Sequence, residues 1–154
     1  MKSRFKVPDE LGIVGVLLIV AVAMAVMSSS FRSPGNLSVL LENGVVVAFL
    51  ALGQTFVLLT GGIDLSVGSN IALTGMLAAL TMAAGLPWWV AVIVALLVGA
   101  AVGLFNGVIV HYLRLPPFIV TFATFGITAS IPKILTNAQS VNIEDPMFAV
   151  IGRG

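Results

Sequence analysis

Between Leu52 and Asn70 the chain reads Leu-Gly-Gln-Thr-Phe-Val-Leu-Leu-Thr-Gly-Gly-Ile-Asp-Leu-Ser-Val-Gly-Ser-Asn, an apolar run in which polar groups accumulate around one carboxylate. Asp64 is its only ionisable side chain. Hydroxyls, an amide and a carboxylate spaced in this way suit hydrogen bonding to a hydroxylated solute, with Thr60, Asp64, Ser66, Ser69 and Asn70 as the candidate contacts. Gly61-Gly62 can adopt positive φ and end a helix without the steric cost of a side chain. Asp64 then falls where the next helix starts, where its carboxylate can accept from the free N–H of Ser66 or Val67 and lies well at the positive end of the helix dipole. Two readings stay open at this point. One is a cytoplasmic turn capped by an Asp; the other is a pair of discontinuous helices lining a polar path, where ionisable residues at membrane depth are functional by default.

Other chemistries lack their residues. There is no Gly-x-x-x-x-Gly-Lys-Ser/Thr to cradle a nucleotide phosphate, so ATP hydrolysis by that route is excluded for this sequence. The single histidine, His111, cannot supply a metalloprotease cluster, and no metal site is expected. With no cysteine there is neither a disulfide nor a thiolate nucleophile, and no lysine lies within an apolar segment to activate a serine. The chain is therefore expected not to be an enzyme and to carry no cofactor.

The elements that must position these residues are membrane helices. Of 154 residues 59% are hydrophobic and 8% charged, about a third of the charged share of a soluble domain, and the mean hydropathy is +1.16. The net charge of +1 gives no reason to expect a polyanionic partner such as nucleic acid. Four stretches carry no charge: Leu11 to Phe31, Asn43 to Ile63, Leu65 to Val110 and Leu115 to Pro132. The third is too long for one span of about 20 residues and is punctuated by Gly85-Leu86-Pro87-Trp88-Trp89, a turn flanked by tryptophans suited to the headgroup layer. Five helices result, at about 11–30, 44–60, 66–84, 87–111 and 117–135. Residues 1–10 form a short N-terminus and 136–154 a polar tail, whose apolar end from Met147 to Gly152 lies at the interface or folds back onto the bundle.

Lys2, Arg4 and Lys6 before the first helix place the N-terminus in the cytoplasm by the positive-inside rule. Arg114 then lies inside and Arg32, Lys133 and Arg153 outside. The first segment reads as an uncleaved anchor because its apolar core is longer than that of a signal peptide and acids precede it. Gly99, Gly103 and Gly107 form a small-residue ridge on the fourth helix, expected to pack within the subunit. Asn106 beside it is expected to bond to a neighbouring helix. Glu42 and Asn43 are read as solvated residues at the outer end of the second helix, Pro116-Pro117 as a helix start, Pro132 as a kink or stop, and His111 as an interfacial anchor beside Tyr112.

The run from Ala51 to Ser69 with Ala72-Leu73-Thr74-Gly75 resembles the signature of the ribose-type sugar permeases of bacterial ABC importers. Gly103-Leu104-Phe105-Asn106-Gly107 running into Leu115-Pro116-Pro117-Phe118-Ile119-Val120-Thr121 resembles a second family segment, and Phe148-Ala149-Val150-Ile151-Gly152 a softer third. The resemblance implies an all-α polytopic subunit of the bacterial inner membrane, equivalent to the N-terminal half of a ten-helix permease fold about twice this length. It further implies a second permease subunit, two cytoplasmic ATP-hydrolysing subunits, an extracytoplasmic sugar-binding protein and a monosaccharide substrate. The family's ATPase-docking helix lies in the second half. Gln54 stands where the family has Met or another apolar residue. On this reading the pathway is lined by Gln54, Thr55, Thr60, Asp64, Ser66 and Asn70, with Gly61, Gly62 and Gly68 forming the helix break. A half-length structural or regulatory subunit and a small self-assembling channel are the alternatives.

Overall fold

The computed structural model describes residues 9–143, 145, 147 and 148. The expectations for Lys2, Arg4, Lys6, Glu144, Pro146 and the segment from Ala149 to Arg153 lie outside the described residues. Among the described residues five α-helices follow one another: α1 (Asp9–Met27), α2 (Pro34–Leu59), α3 (Val67–Ala83), α4 (Trp88–Leu113) and α5 (Pro117–Leu135). Among the described residues there is no strand.

Helix ends are set by local chemistry. Pro34 occupies the first turn of α2, where its missing N–H is not needed, and the Ser33 Oγ accepts from the Asn36 N–H at 3.2 Å. This Ser-Pro start carries α2 back ten residues from the expected position 44. Glu42 and Asn43 consequently sit within the helix rather than at its end, both exposed, with Asn43 Nδ2 donating to the Val39 carbonyl. The other end of α2 closes on Gly61 at φ +78°, with the Gly61 N–H on the Leu58 carbonyl and the Gly62 N–H on the Val57 carbonyl. Those paired bonds satisfy carbonyls that the helix end would orphan. Gly85 at φ +84° ends α3 in the same manner, through Met82 and Thr81. The helix continues through Pro132 to Leu135, so this proline does not stop it.

The chain divides into two compact units, Met1–Phe49 and Leu50–Gly154. The first holds α1 and the opening of α2. In the second, α3 packs against both α4 and α5, which also touch each other. Its interior is inverted relative to a water-soluble bundle: the buried polar residues Ser66, Ser69, Asn106, Thr121, Thr124 and Thr128 outnumber the buried apolar Leu73, Ala79, Ala91 and Val120. Leu97, Leu104 and Phe122 stand 66%, 69% and 63% exposed. Lipid solvates such side chains as well as a core would, so helices associate through small and polar residues instead.

Among the described residues three helices, α2, α4 and α5, are long and apolar enough to cross a membrane, and the apolar stretches Leu11–Met27 and Val67–Ala83 are shorter. The protein is a multi-pass membrane protein by this architecture.

Candidate functional site: a polar seam beneath a helix break

Residues 60–66 are non-helical, and their backbone groups need partners if the break is to be stable away from water. Thr121 on α5 supplies two. Its Oγ1 donates to the Ile63 carbonyl at 3.1 Å and accepts from the Leu65 N–H at 3.0 Å, bracketing Asp64. Close approach of the break to α5 depends on Gly62, because a Cβ there would meet Pro117 Cβ at 3.2 Å and Cγ at 3.3 Å.

Asp64 is half-buried. Its Oδ1 accepts from the Ser66 N–H at 2.7 Å and from the Ser66 hydroxyl at 2.6 Å, so of the two expected backbone donors it is Ser66 that closes the turn. Ser66, 1% exposed, precedes the first residue of α3. Its Oγ in turn accepts from Asn106 Nδ2 of α4 at 3.1 Å, and Asn106 Oδ1 accepts from the Thr124 hydroxyl of α5 at 2.6 Å. One helical turn further on, the Ser69 and Thr128 hydroxyls meet at 2.6 Å. Thr121, Thr124 and Thr128 share one face of α5 at helical spacing, so a single stripe of hydroxyls lies along the break and the start of α3.

A groove of about 510 Å³ opens beside this seam, between α3 and α4. Asp64, Asn70 and Thr74 give it polar groups, while Leu96, Gly99 and Ala100 form part of its opposite wall and Phe148 of the tail also lines it. Asn70 Nδ2 lies 3.5 Å from the Gly99 carbonyl, and its Oδ1 is buried without a hydrogen-bond partner among the described residues. Phe148 is thus folded back onto the bundle, with its N–H on Asp145 Oδ1.

Of the six residues expected to line a pathway, the groove collects Asp64 and Asn70. Ser66 is sealed into the seam. Thr55 and Thr60 are exposed, with their hydroxyls on the Ala51 and Val57 carbonyls of α2, and the Gln54 Oε1 is buried without a partner among the described residues. Gly61 and Gly62 form the break, whereas Gly68, in the first turn of α3, is exposed with open space beside its Cα. On α4, a Cβ at Gly99 would touch Thr74 at 3.5 Å, but Gly103 and Gly107 have nothing within 4 Å, so the ridge packs at one end only. Asn106 bonds across to two other elements, as its position beside the ridge suggested. The three buried threonines of α5 were not singled out, although their spacing on an apolar helix was a readable signal.

Residues 36–148 match the family model described as branched-chain amino acid transport system / permease component. The chain is 39% identical over 145 residues to a probable ABC transporter permease protein of Sinorhizobium fredii, covering 94% of this chain and 43% of that protein. It is 36% identical over 132 residues to the D-allose transport system permease of Escherichia coli (82% of this chain, 40% of the relative), and 37% over 134 residues to the ribose import permease of Escherichia coli (87% and 41%). The chain therefore spans about two fifths of the length of these relatives. No solved structure matches it.

Proposed function

The chain belongs to the family of branched-chain amino acid transport system / permease components, and from that premise we propose that it forms part of the solute pathway of an ATP-driven monosaccharide importer in the bacterial inner membrane. Relatives named for ribose and D-allose support the substrate class. On this reading a second permease subunit completes the membrane portion, cytoplasmic subunits hydrolyse ATP, and an extracytoplasmic binding protein delivers the sugar. The N-terminus is cytoplasmic.

The observation that carries the proposal is Asp64 on the groove wall at a helix break, with the backbone groups on either side of it bonded to Thr121 of α5. Helix α3 has 17 residues, about 25 Å at ~1.5 Å per residue, short of the roughly 30 Å hydrocarbon thickness. The non-helical residues before it make up that reach and bring the carboxylate toward membrane depth. There it accepts hydrogen bonds from sugar hydroxyls. A conduit needs contacts strong enough to admit a solute and weak enough to release it, which a few hydroxyl bonds provide.

The test is uptake of radiolabelled D-ribose, D-allose and D-fructose by cells carrying the native protein or Asp64→Asn. Asn retains an Oδ1 that can accept from Ser66, so the turn is kept and the charge alone is removed. The expected outcome is saturable uptake of one of these sugars, reduced about tenfold or more in the variant at equal membrane abundance, the scale of one charge-assisted hydrogen bond. Normal uptake by a normally assembled Asp64→Asn complex would remove the carboxylate from the mechanism, and absence of any saturable sugar uptake would remove the substrate class.

A further inference from the structure

The bonds around Asp64 form a directed series. The Thr124 hydroxyl donates to Asn106 Oδ1, Asn106 Nδ2 donates to Ser66 Oγ, and the Ser66 hydroxyl donates to Asp64 Oδ1. Asn106 fixes that direction: with its amide N–H on one lone pair of Ser66 Oγ, the serine proton is turned toward the carboxylate. The carboxylate, which can only accept, sets this polarity, and the Thr124 hydroxyl completes it by donating at 2.6 Å to the amide oxygen turned to its side. Successive bonds of one polarity strengthen each other in a low-dielectric interior. Both donors on Asp64 meet the same oxygen, Oδ1. Asn106 and Thr124 are both buried, 5% and 4% exposed, and neither lines the groove, so neither can touch a solute there.

From this geometry we infer that Asn106 and Thr124 are positioning residues for transport, acting through Ser66 to hold Oδ1 of Asp64 so that its second oxygen is presented to the groove. The inference rests on the reading of Asp64 as a solute contact. It assigns a transport role to two residues of α4 and α5 that are remote in sequence from the break and joined to it by one continuous series of donors.

A double-mutant cycle tests it in the full native complex, with the sugar among D-ribose, D-allose and D-fructose that the native cells accumulate as the probe. Thr124→Val removes the donor while preserving shape, Thr124→Ser restores it, and Asn106→Asp reverses the polarity because a carboxylate draws the Ser66 proton away from Asp64. Each is made in the native and in the Asp64→Asn background. The expected result is a fall in uptake of roughly fivefold for Thr124→Val, the factor of one neutral hydrogen bond, a larger fall for Asn106→Asp, and recovery in Thr124→Ser. In the Asp64→Asn background the same changes add nothing, since residues acting through one group are non-additive. Equal fold-losses in both backgrounds would overturn the positioning role and leave Asp64 in place. Native uptake in Asp64→Asn would overturn the reading of Asp64 and the positioning role with it. Should Thr124→Val fail to reach the membrane, Asn106→Asp decides by the same comparison, because its side chain is the same size.

Discussion

Thr121 shows how one hydroxyl can support a break in a membrane helix. It serves as donor to the Ile63 carbonyl and acceptor from the Leu65 N–H, so one group of each peptide flanking Asp64 is paired without water. Thr121→Val should therefore remove two partly buried hydrogen bonds and destabilise the fold by about 1–3 kcal/mol, while Thr121→Ser should retain most of the stability. Thermal unfolding in detergent reads the difference; equal midpoints for the Val and Ser variants would show that water replaces the hydroxyl. At this scale the sequence was informative on one side of the contact. Asp64 as a cap and Asn106 as a cross-helix group follow from their being polar residues in apolar surroundings. The partners on α5 were missed because threonine is unremarkable in an apolar helix, where its hydroxyl can bond to its own backbone, as Thr128 does to the Thr124 carbonyl at 2.8 Å. Only the three-dimensional approach of α5 to the break and to α4 gives Thr121 and Thr124 their partners.

Among the helices, small residues act where another element comes close and are neutral elsewhere. Gly62 lies against the rigid ring of Pro117, so Gly62→Ala should push the first turn of α5 away from the break and destabilise by about 1–3 kcal/mol, the range for overpacking. Gly103 has open space beside it, and Gly103→Ala should raise the stability of the isolated chain by up to ~1 kcal/mol through helix propensity alone. Unfolding midpoints of the two variants should move in opposite directions; a loss in Gly103→Ala would show that the outer part of the ridge is packed. The repeat of glycines every fourth residue was legible, yet which of them meets a neighbour was not. That depends on where α3 crosses α4, and α3 crosses at Gly99, opposite Asn70 and Thr74. The early start of α2 was legible in principle from Ser33-Pro34, a cap followed by a first-turn proline. Helix prediction by absence of charge passes over it because Glu42 interrupts the apolar run.

For the molecule as a whole, lipid is the solvent, and this decides which parts of the architecture could be read in advance. The number of helices and the all-helical class follow from hydropathy. Orientation rests on a balance of four bases against three, too even to be decided by charge alone. The 154 residues contain no cysteine, so single introduced thiols report sidedness directly. Leu86 and Leu115, at the two ends of α4, must fall on opposite sides of the membrane if this 26-residue helix crosses it. Leu86→Cys should react with a membrane-impermeant maleimide in intact cells, and Leu115→Cys only after permeabilisation; reaction of both from one side would exclude α4 as a span. Ile63→Cys, half exposed beside Asp64, then separates the two readings of the break. A capped surface turn leaves it reactive at a rate that sugar does not change. A break lining the solute path makes its labelling slow in the presence of transported sugar, and protection should be lost in Asp64→Asn because the variant no longer holds the solute beside residue 63.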